Sequence, residues 1–182
     1  MKTAALVLCL ILLPTYASAG GFLIYNQDAK ANGMGLAVAS SIDNASAVFY
    51  NPSLLTDLKG LNISAGVNAF TSSRRYQDAE TGLRVNAIPR NHFIPTFFAS
   101  YTMDKWSFGM GVYTPFGLST EWPQAWVGRY QTTYAEIGST YINPVVAYKF
   151  NDYVSFSAGF SYATSSLTLK NNIAVGPGMA GR

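Results

Sequence analysis

Apolar and polar positions alternate along much of this chain. From Leu61 to Ala69 every odd position is apolar, and the even ones are Asn62, Ser64, Gly66 and Asn68. Trp106, Phe108, Met110 and Val112 alternate with Ser107, Gly109 and Gly111. Val154 to Tyr162 repeats the pattern, and Ile142, Pro144, Val146, Tyr148 and Phe150 form another stripe. Phe93 to Tyr101 is less regular, because Phe97 and Phe98 are adjacent. A side-chain period of two places each stripe on one face of a sheet. The pattern predicts strands over 60–70, 93–102, 106–113, 134–150 and 153–169.

The polar face carries Ser, Gly, Asn and Thr, where a sheet facing bulk water carries Lys, Glu and Arg. Segments of about 9–11 residues have the length of a tilted transmembrane strand. Tyr101, Tyr113, Phe150 and Tyr153 stand at strand ends, as interfacial aromatics do. Connections alternate between tight turns (Met103-Asp104-Lys105, Asn151-Asp152) and long segments (71–91, 114–133). Short turns on the periplasmic side and long loops outside are the outer-membrane arrangement. The competing reading is a soluble β-sandwich. Glu136 falls on the apolar face. Either a bulge flips the register there, or the upper end of that strand projects beyond the membrane.

Residues 20–59 lack the two-residue period and are rich in small residues (Ala29, Ala31, Gly33, Gly35, Ala37, Ala39). Asn51-Pro52 predicts a helix start, with Asn as N-cap and Pro at the first helical position. Such a segment ahead of a barrel is expected to plug its lumen. Before it, Lys2, the apolar run Ala4–Leu13, Pro14 and Ala17-Ser18-Ala19 read as a secretory signal peptide over 1–19. The run is too short to span a bilayer as a helix. Cys9, the one cysteine, lies inside it, so a mature chain cleaved after Ala19 has no disulfide.

Composition narrows the class. Charged residues make up 12% of the chain and aromatics 14%. Disorder is excluded, since disordered chains are charge-rich and aromatic-poor. A net charge of +3, thinly spread, gives no basic patch for nucleic acid.

Several motifs, in order behind the signal peptide, resemble the FadL-type family of outer-membrane long-chain fatty-acid transport proteins. They are Gly21-Phe22, Ala29-Lys30-Ala31-Asn32-Gly33-Met34-Gly35, Ala47-Val48-Phe49-Tyr50-Asn51-Pro52-Ser53, Trp106-Ser107-Phe108-Gly109, Tyr113 to Trp122 and Ile142 to Lys149. The resemblance implies an all-β, fourteen-stranded transmembrane antiparallel barrel closed by an N-terminal hatch of short helices. It implies a monomer in outer-membrane lipid that takes up long-chain fatty acids or aromatic hydrocarbons by diffusion, without cofactor or metal. Ligand would bind at the outer loops, then near the hatch N-terminus, and leave beside a kinked third strand. Phe22 would approach the deep ligand, and Asn51 and Pro52 would hold the hatch signature. Thr114 to Leu118 would lead the third strand into the outer loop.

Phe116, Leu118, Trp122, Trp126 and Tyr130 place large apolar side chains in a long loop. Either they bind ligand, or they pack together to order the loop. Arg129 is the nearest cation there; it would hold a carboxylate or pair with Glu121. No lumen cation maps onto the family's deep carboxylate site, which keeps neutral hydrocarbons open. Arg74-Arg75 would meet anionic headgroups or remain a solvated pair. A hydrolase built on His92 is disfavoured, because no nucleophile-elbow sequence accompanies it and a satisfied strand-end histidine explains it. A structural or adhesive barrel is the remaining alternative.

Five strands cannot close a barrel. Fourteen strands at about 10 residues each need roughly 140 residues before loops, more than 60–182 can supply. The chain is therefore expected to be the N-terminal portion of a longer protein and to form an open sheet.

Overall fold

The computed structural model describes residues 23–174. The signal-peptide run, Gly21-Phe22 and the terminal Gly176–Arg182 lie outside the described residues. The strands are β1 (Gly60–Ser72), β2 (Arg75–Gln77), β3 (Arg84–Asn86), β4 (Arg90–Met103), β5 (Trp106–Tyr113), β6 (Gly117–Glu121), β7 (Tyr134–Lys149), β8 (Ser155–Gly159) and β9 (Tyr162–Lys170). β1, β4, β5 and β7 form an antiparallel meander. β5 and β6 both pair with β7 and together make the third crossing; β8 and β9 likewise make the fifth. Among the described residues β1 pairs only with β4, and β8 and β9 only with β7, so the sheet is open.

The expected strands are present. Two connections differ from expectation. The segment read as a loop over 71–91 folds back as the β2–β3 hairpin. That over 114–133 begins with β6, a continuation of the third strand.

The register stacks one apolar row across five strands: Leu61, Tyr101, Phe108, Val146 and Ala158. Leu61, Ile63 and Val67 are 67%, 60% and 64% exposed, and Phe93 is 69%. An apolar face this broad is stable only against another apolar phase. Trp106 packs on Tyr148 at 4.6 Å where the tight turns lie.

Glu136 keeps its place on that face. β7 holds one unbroken register with β8 and β9, from Lys149 opposite Ser155 to Tyr134 opposite Lys170. No bulge intervenes. Instead Glu136 accepts from the Tyr134 hydroxyl at 2.5 Å, beside Arg90, Glu121 and Lys170, in a charged rim at the upper end.

The opposite face carries the N-terminal segment. Asp28 caps helix α1 (Ala29–Gly33) by accepting from the Ala31 N–H at 3.0 Å. Gly35, at φ +61°, lets the chain turn away from that helix. Helix α2 (Ala47–Tyr50) leads into a 3-10 helix, Pro52–Asp57. Val38, Ile42, Ala47, Val48 and Leu55 form one buried cluster with Phe98, Tyr113 and Val145 of the sheet. Burying Val48 and Leu55 contributes about 1.5–3 kcal/mol each.

Two strand glycines make the seat for this segment. A Cβ on Gly109 would lie 2.6 Å from Val48 Cγ2 and 2.8 Å from Leu55 Cδ1; one on Gly111 would lie 3.0 Å from Val48 Cγ1. The plain Ser/Gly face is thus a docking face. The 3-10 helix is tied to the sheet below, where Thr102 Oγ1 donates to the Leu55 carbonyl and Lys149 pairs with Asp57.

Candidate ligand site

The third strand changes register between β5 and β6. Tyr113 stands opposite Tyr141 and Gly117 opposite Gly138, so residues 114–116 face only 139 and 140. One extra residue is a bulge, and it bends the strand. Pro115 has no N–H to give to a ladder.

The backbone groups freed by the bulge find other partners, as buried groups must. Ser139 Oγ accepts from the Phe116 N–H at 3.0 Å and donates to the Phe116 carbonyl at 2.8 Å. The Ile24 N–H donates to the Pro115 carbonyl at 2.7 Å. Gln27 Nε2 donates to the Thr114 carbonyl at 3.0 Å and to the Ile24 carbonyl at 2.7 Å. Gln27 is fully buried, and its Oε1 has no partner among the described residues.

The bulge also parts the wall. β4 pairs with β5 only as far as Phe97 opposite Val112. Above that, Arg90 to Thr96 continue with β1 alone, while β6 follows β7. The opening is closed at the top by the Ile88–Glu121 bridge and the Arg90–Glu121 ion pair.

Residues 23–27 are bonded to the bulge on one side and to β1 on the other. Asn26 Nδ2 donates to Asn32 Oδ1 at 2.8 Å, Asn32 Nδ2 donates to Asn68 Oδ1 at 2.9 Å, and Asn68 Nδ2 donates to the Asn26 carbonyl. This amide triangle pins the segment to β1. Beside it is a cavity of about 340 Å³ lined by Leu23, Ile24, Asn26, Asn32, Asn68, Ala69, Phe70 and Leu118. Apolar walls with a few amides suit a largely apolar molecule.

Rings connect the segment to the bulge. Tyr25, Phe49 and Tyr50 touch one another, Phe49 meets Tyr113, and Tyr141 lies between Tyr113 and Phe116. The Tyr50 hydroxyl donates to the Tyr25 carbonyl at 2.8 Å and accepts from the Gln27 N–H at 3.1 Å. Burial first, and the nearby Asp28 charge, push its pKa above the ordinary tyrosine value.

The residues singled out from sequence are dispersed. Leu118 is in the cavity wall and Phe116 in the bulge. Trp126 is buried, stacked on Trp122 at 4.5 Å and edge-on to Tyr76 at 5.5 Å, with Nε1 donating to the Thr132 carbonyl. Those two indoles order the loop. Arg129 does not pair with Glu121, which Arg90 takes; it donates to the Trp126 carbonyl and lies over the Tyr130 ring at 4.6 Å.

Asn51 flanks the 3-10 helix but makes no side-chain capping bond. Its Nδ2 donates to the Ala39 carbonyl at 2.7 Å and its Oδ1 accepts from Ser53. Asn51 and Pro52 hold the N-terminal segment together and do not line the cavity. Phe22 lies outside the described residues. His92 stacks on Phe70 at 5.1 Å, as a satisfied strand-end ring.

The sequence does not single out Leu23, Ile24, Gln27 or Asn68, and it names Thr114 only as the start of the segment leading out of the third strand. Asn68 carried only a weak signal, an amide on the polar face of β1 that it shares with Asn62, Ser64 and Gly66.

Known proteins resemble this chain in sequence and fold. The model of a family described as outer membrane protein transport protein (OMPP1/FadL/TodX) matches residues 10–181. A long-chain fatty acid transport protein of Salmonella typhi is 25% identical over 86% of this chain and 37% of its own length. A protein of Neisseria meningitidis serogroup B described as an outer membrane protein is 30% identical over 67% of this chain and 28% of its own. A 47 kDa outer membrane protein of Pasteurella multocida is 29% identical over 62% and 27%. The chain thus spans between about a quarter and two fifths of these curated relatives. The crystal structure of a Pseudomonas aeruginosa FadL homologue superposes with a TM-score of 0.72 at 22% identity, over 82% of this chain and 39% of that one.

Proposed function

The chain belongs to the OMPP1/FadL/TodX family of outer-membrane transport proteins, and on that premise we propose that it forms the gated part of a channel for hydrophobic molecules. Long-chain fatty acids or aromatic hydrocarbons enter by diffusion. Residues 23–59 act as the hatch, and the opening between β4 and β6 is the exit into the bilayer. One observation carries this reading: the backbone of the bulge in the third strand is hydrogen-bonded to Ile24 and Gln27, beside an apolar cavity.

A ligand entering that cavity competes for the space of Leu23 and Ile24. Displacing them frees the Pro115 carbonyl, pulls on the Gln27 bond to the Thr114 carbonyl and unblocks the opening. Outward, the ligand meets an apolar face, so release needs no energy source.

The test locks the contact. A Cβ on Gly117 would lie 3.8 Å from Ile24 Cδ1. Ile24→Cys with Gly117→Cys, in the full-length protein, is cross-linked with a short bifunctional maleimide on whole cells. Uptake of oleate and toluene is expected to fall to background in the cross-linked protein and to persist in each single variant. Undiminished uptake through the locked protein would sink the gating reading.

A further inference from the structure

Pro144 interrupts the wall between the fourth and fifth crossings. β8 pairs with β7 as far as Gly159 opposite Val145, and β9 resumes in the same register at Tyr162 opposite Ile142. In between, that register sets Pro144 against Phe160 and Asn143 against Ser161. The Phe160 N–H donates to the Pro144 carbonyl at 3.3 Å. A hydrogen-bonded ladder pair exchanges two such bonds, but Pro144 has no N–H to return. Strands with neighbours on both edges avoid proline for this reason.

The gap lies close to the bulge. Along β7, residues 139 and 140 face the bulge on one edge, and Pro144 faces the gap on the other. Between the two breaks only Tyr141 and Ile142 are paired on both edges, with β5 on one side and β9 on the other. The sheet is therefore divided into two panels along an oblique line. Below it are β5, β8 and the lower half of β7; above it are β6, β9 and the upper half of β7. Few backbone bonds cross the line, which marks a place where a fold opens locally.

Asn143 spans the line with its side chain. Its Nδ2 donates to the Tyr113 hydroxyl at 3.1 Å and to Ser161 Oγ at 2.7 Å, tying the last residue of β5 to the break in the fifth strand. Tyr113 is itself buried, against Phe49 of the N-terminal segment and Phe98 of β4. Asn143 Oδ1 is buried with no partner among the described residues. An acceptor left bare raises the energy of the tied arrangement and makes its release easier.

The upper panel carries one side of the opening. β6 supplies Leu118 to the cavity wall, and Ser119 and Glu121 to the contacts with Arg74, Ile88 and Arg90 above. We infer that this panel is a second moving part, hinged at Pro144 and latched by Asn143 as a positioning residue, and that its position sets the width of the opening between β4 and β6. The hinge stands on the strand pairing; its effect on passage rests on the transport reading.

The test measures the panel against β4 in the full-length protein in lipid. Phe93→Cys on β4 and Thr168→Cys on the upper panel, both at exposed positions, are spin-labelled, and their separation is read by pulsed electron paramagnetic resonance. Pro144→Val restores the missing donor. It is expected to narrow the distance distribution and to slow amide exchange at residues 160–162 about tenfold. Asn143→Val removes the latch and is expected to broaden the distribution toward longer distances. Should Pro144→Val not assemble, Tyr113→Phe keeps the ring, removes the hydroxyl that Asn143 binds, and is expected to broaden the distribution in the same way. Uptake of oleate and toluene by cells carrying these variants is expected to rise as the distribution broadens. Distances unchanged in every variant would overturn the hinge, even if Asn143→Val lowers the unfolding temperature. Distances that respond while uptake stays at the wild-type rate would overturn the panel's control of the opening. Wild-type cells that take up neither compound would overturn the transport reading, and the hinge would then be judged by the distances alone.

Discussion

Gln27 and Thr114 are 87 positions apart, yet the side-chain amide of one donates to the backbone carbonyl of the other at 3.0 Å. Thr114 is the first residue of the bulge, and its carbonyl points where β4 no longer provides a partner. Gln27 is fully buried and also holds the Ile24 carbonyl. One amide therefore fixes the N-terminal segment to the bent strand, so movement of either disturbs the other.

Removing that amide is expected to loosen the segment without unfolding the sheet. Gln27→Ala leaves the Thr114 carbonyl unsatisfied, at a cost of about 1–3 kcal/mol. The variant should show a lower unfolding temperature in detergent, faster proteolysis within residues 23–59, and higher basal uptake of toluene. A variant as protease-resistant as the wild type would show that the amide does not hold the segment.

Filling the glycine seat perturbs the same segment from the sheet side. A side chain at Gly109 meets Val48, Leu55 and Val145 at once, all within 2.9 Å of the new Cβ. Gly109→Val is expected to displace the 3-10 helix while the strand pairing, which runs through the backbone, persists. Overpacking of this kind costs about 1–3 kcal/mol. Val48→Ala in the same protein should recover part of the loss, and a double-mutant cycle on unfolding temperature reads the coupling.

The strands were legible because their period of two is marked by extremes: Leu, Ile, Phe and Trp against Ser and Gly. The same contrast hid the seat, since Gly109 and Gly111 gain meaning only when Val48 arrives from elsewhere in the chain. The bend of the third strand, implied by the family resemblance, is absent from the local pattern for another reason. Thr114-Pro115-Phe116-Gly117 has turn composition, and a bulge is set by the partner strand's register, which no local pattern records. Proximity in sequence offers Arg129 either a ligand carboxylate or Glu121 as partner. The β2–β3 hairpin instead brings the chain back so that Arg90 reaches Glu121 first.

Leu118 and Trp126 were singled out for the same reason, but the structure separates them, and substitution should too. Leu118→Asn changes a cavity wall and is expected to reduce oleate uptake severalfold with unchanged unfolding temperature. Trp126→Ala removes a buried ring stacked on Trp122, a loss of about 3–5 kcal/mol to local packing. Its expected signature is proteolysis within residues 122–133. Equal effects on uptake with no cleavage in either variant would count against this division.

The Tyr50 phenol predicts an alkaline limit to closure. Its hydroxyl donates to the Tyr25 carbonyl only while protonated, and burial holds its pKa above the ordinary value of about 10. For a group raised on folding, the stabilising contribution is complete below the unfolded pKa and is lost as pH rises through the folded one. Segment 23–59 should therefore stay protected from protease below about pH 10 and open above it. Absorbance near 295 nm, wild type minus Tyr50→Phe, isolates this ring from the other tyrosines and should show it titrating later than free tyrosine. Tyr50→Phe loses the bond to Tyr25, so its segment should be looser at neutral pH and show less further change on the alkaline side. An alkaline opening of equal size in Tyr50→Phe would assign the transition to another group.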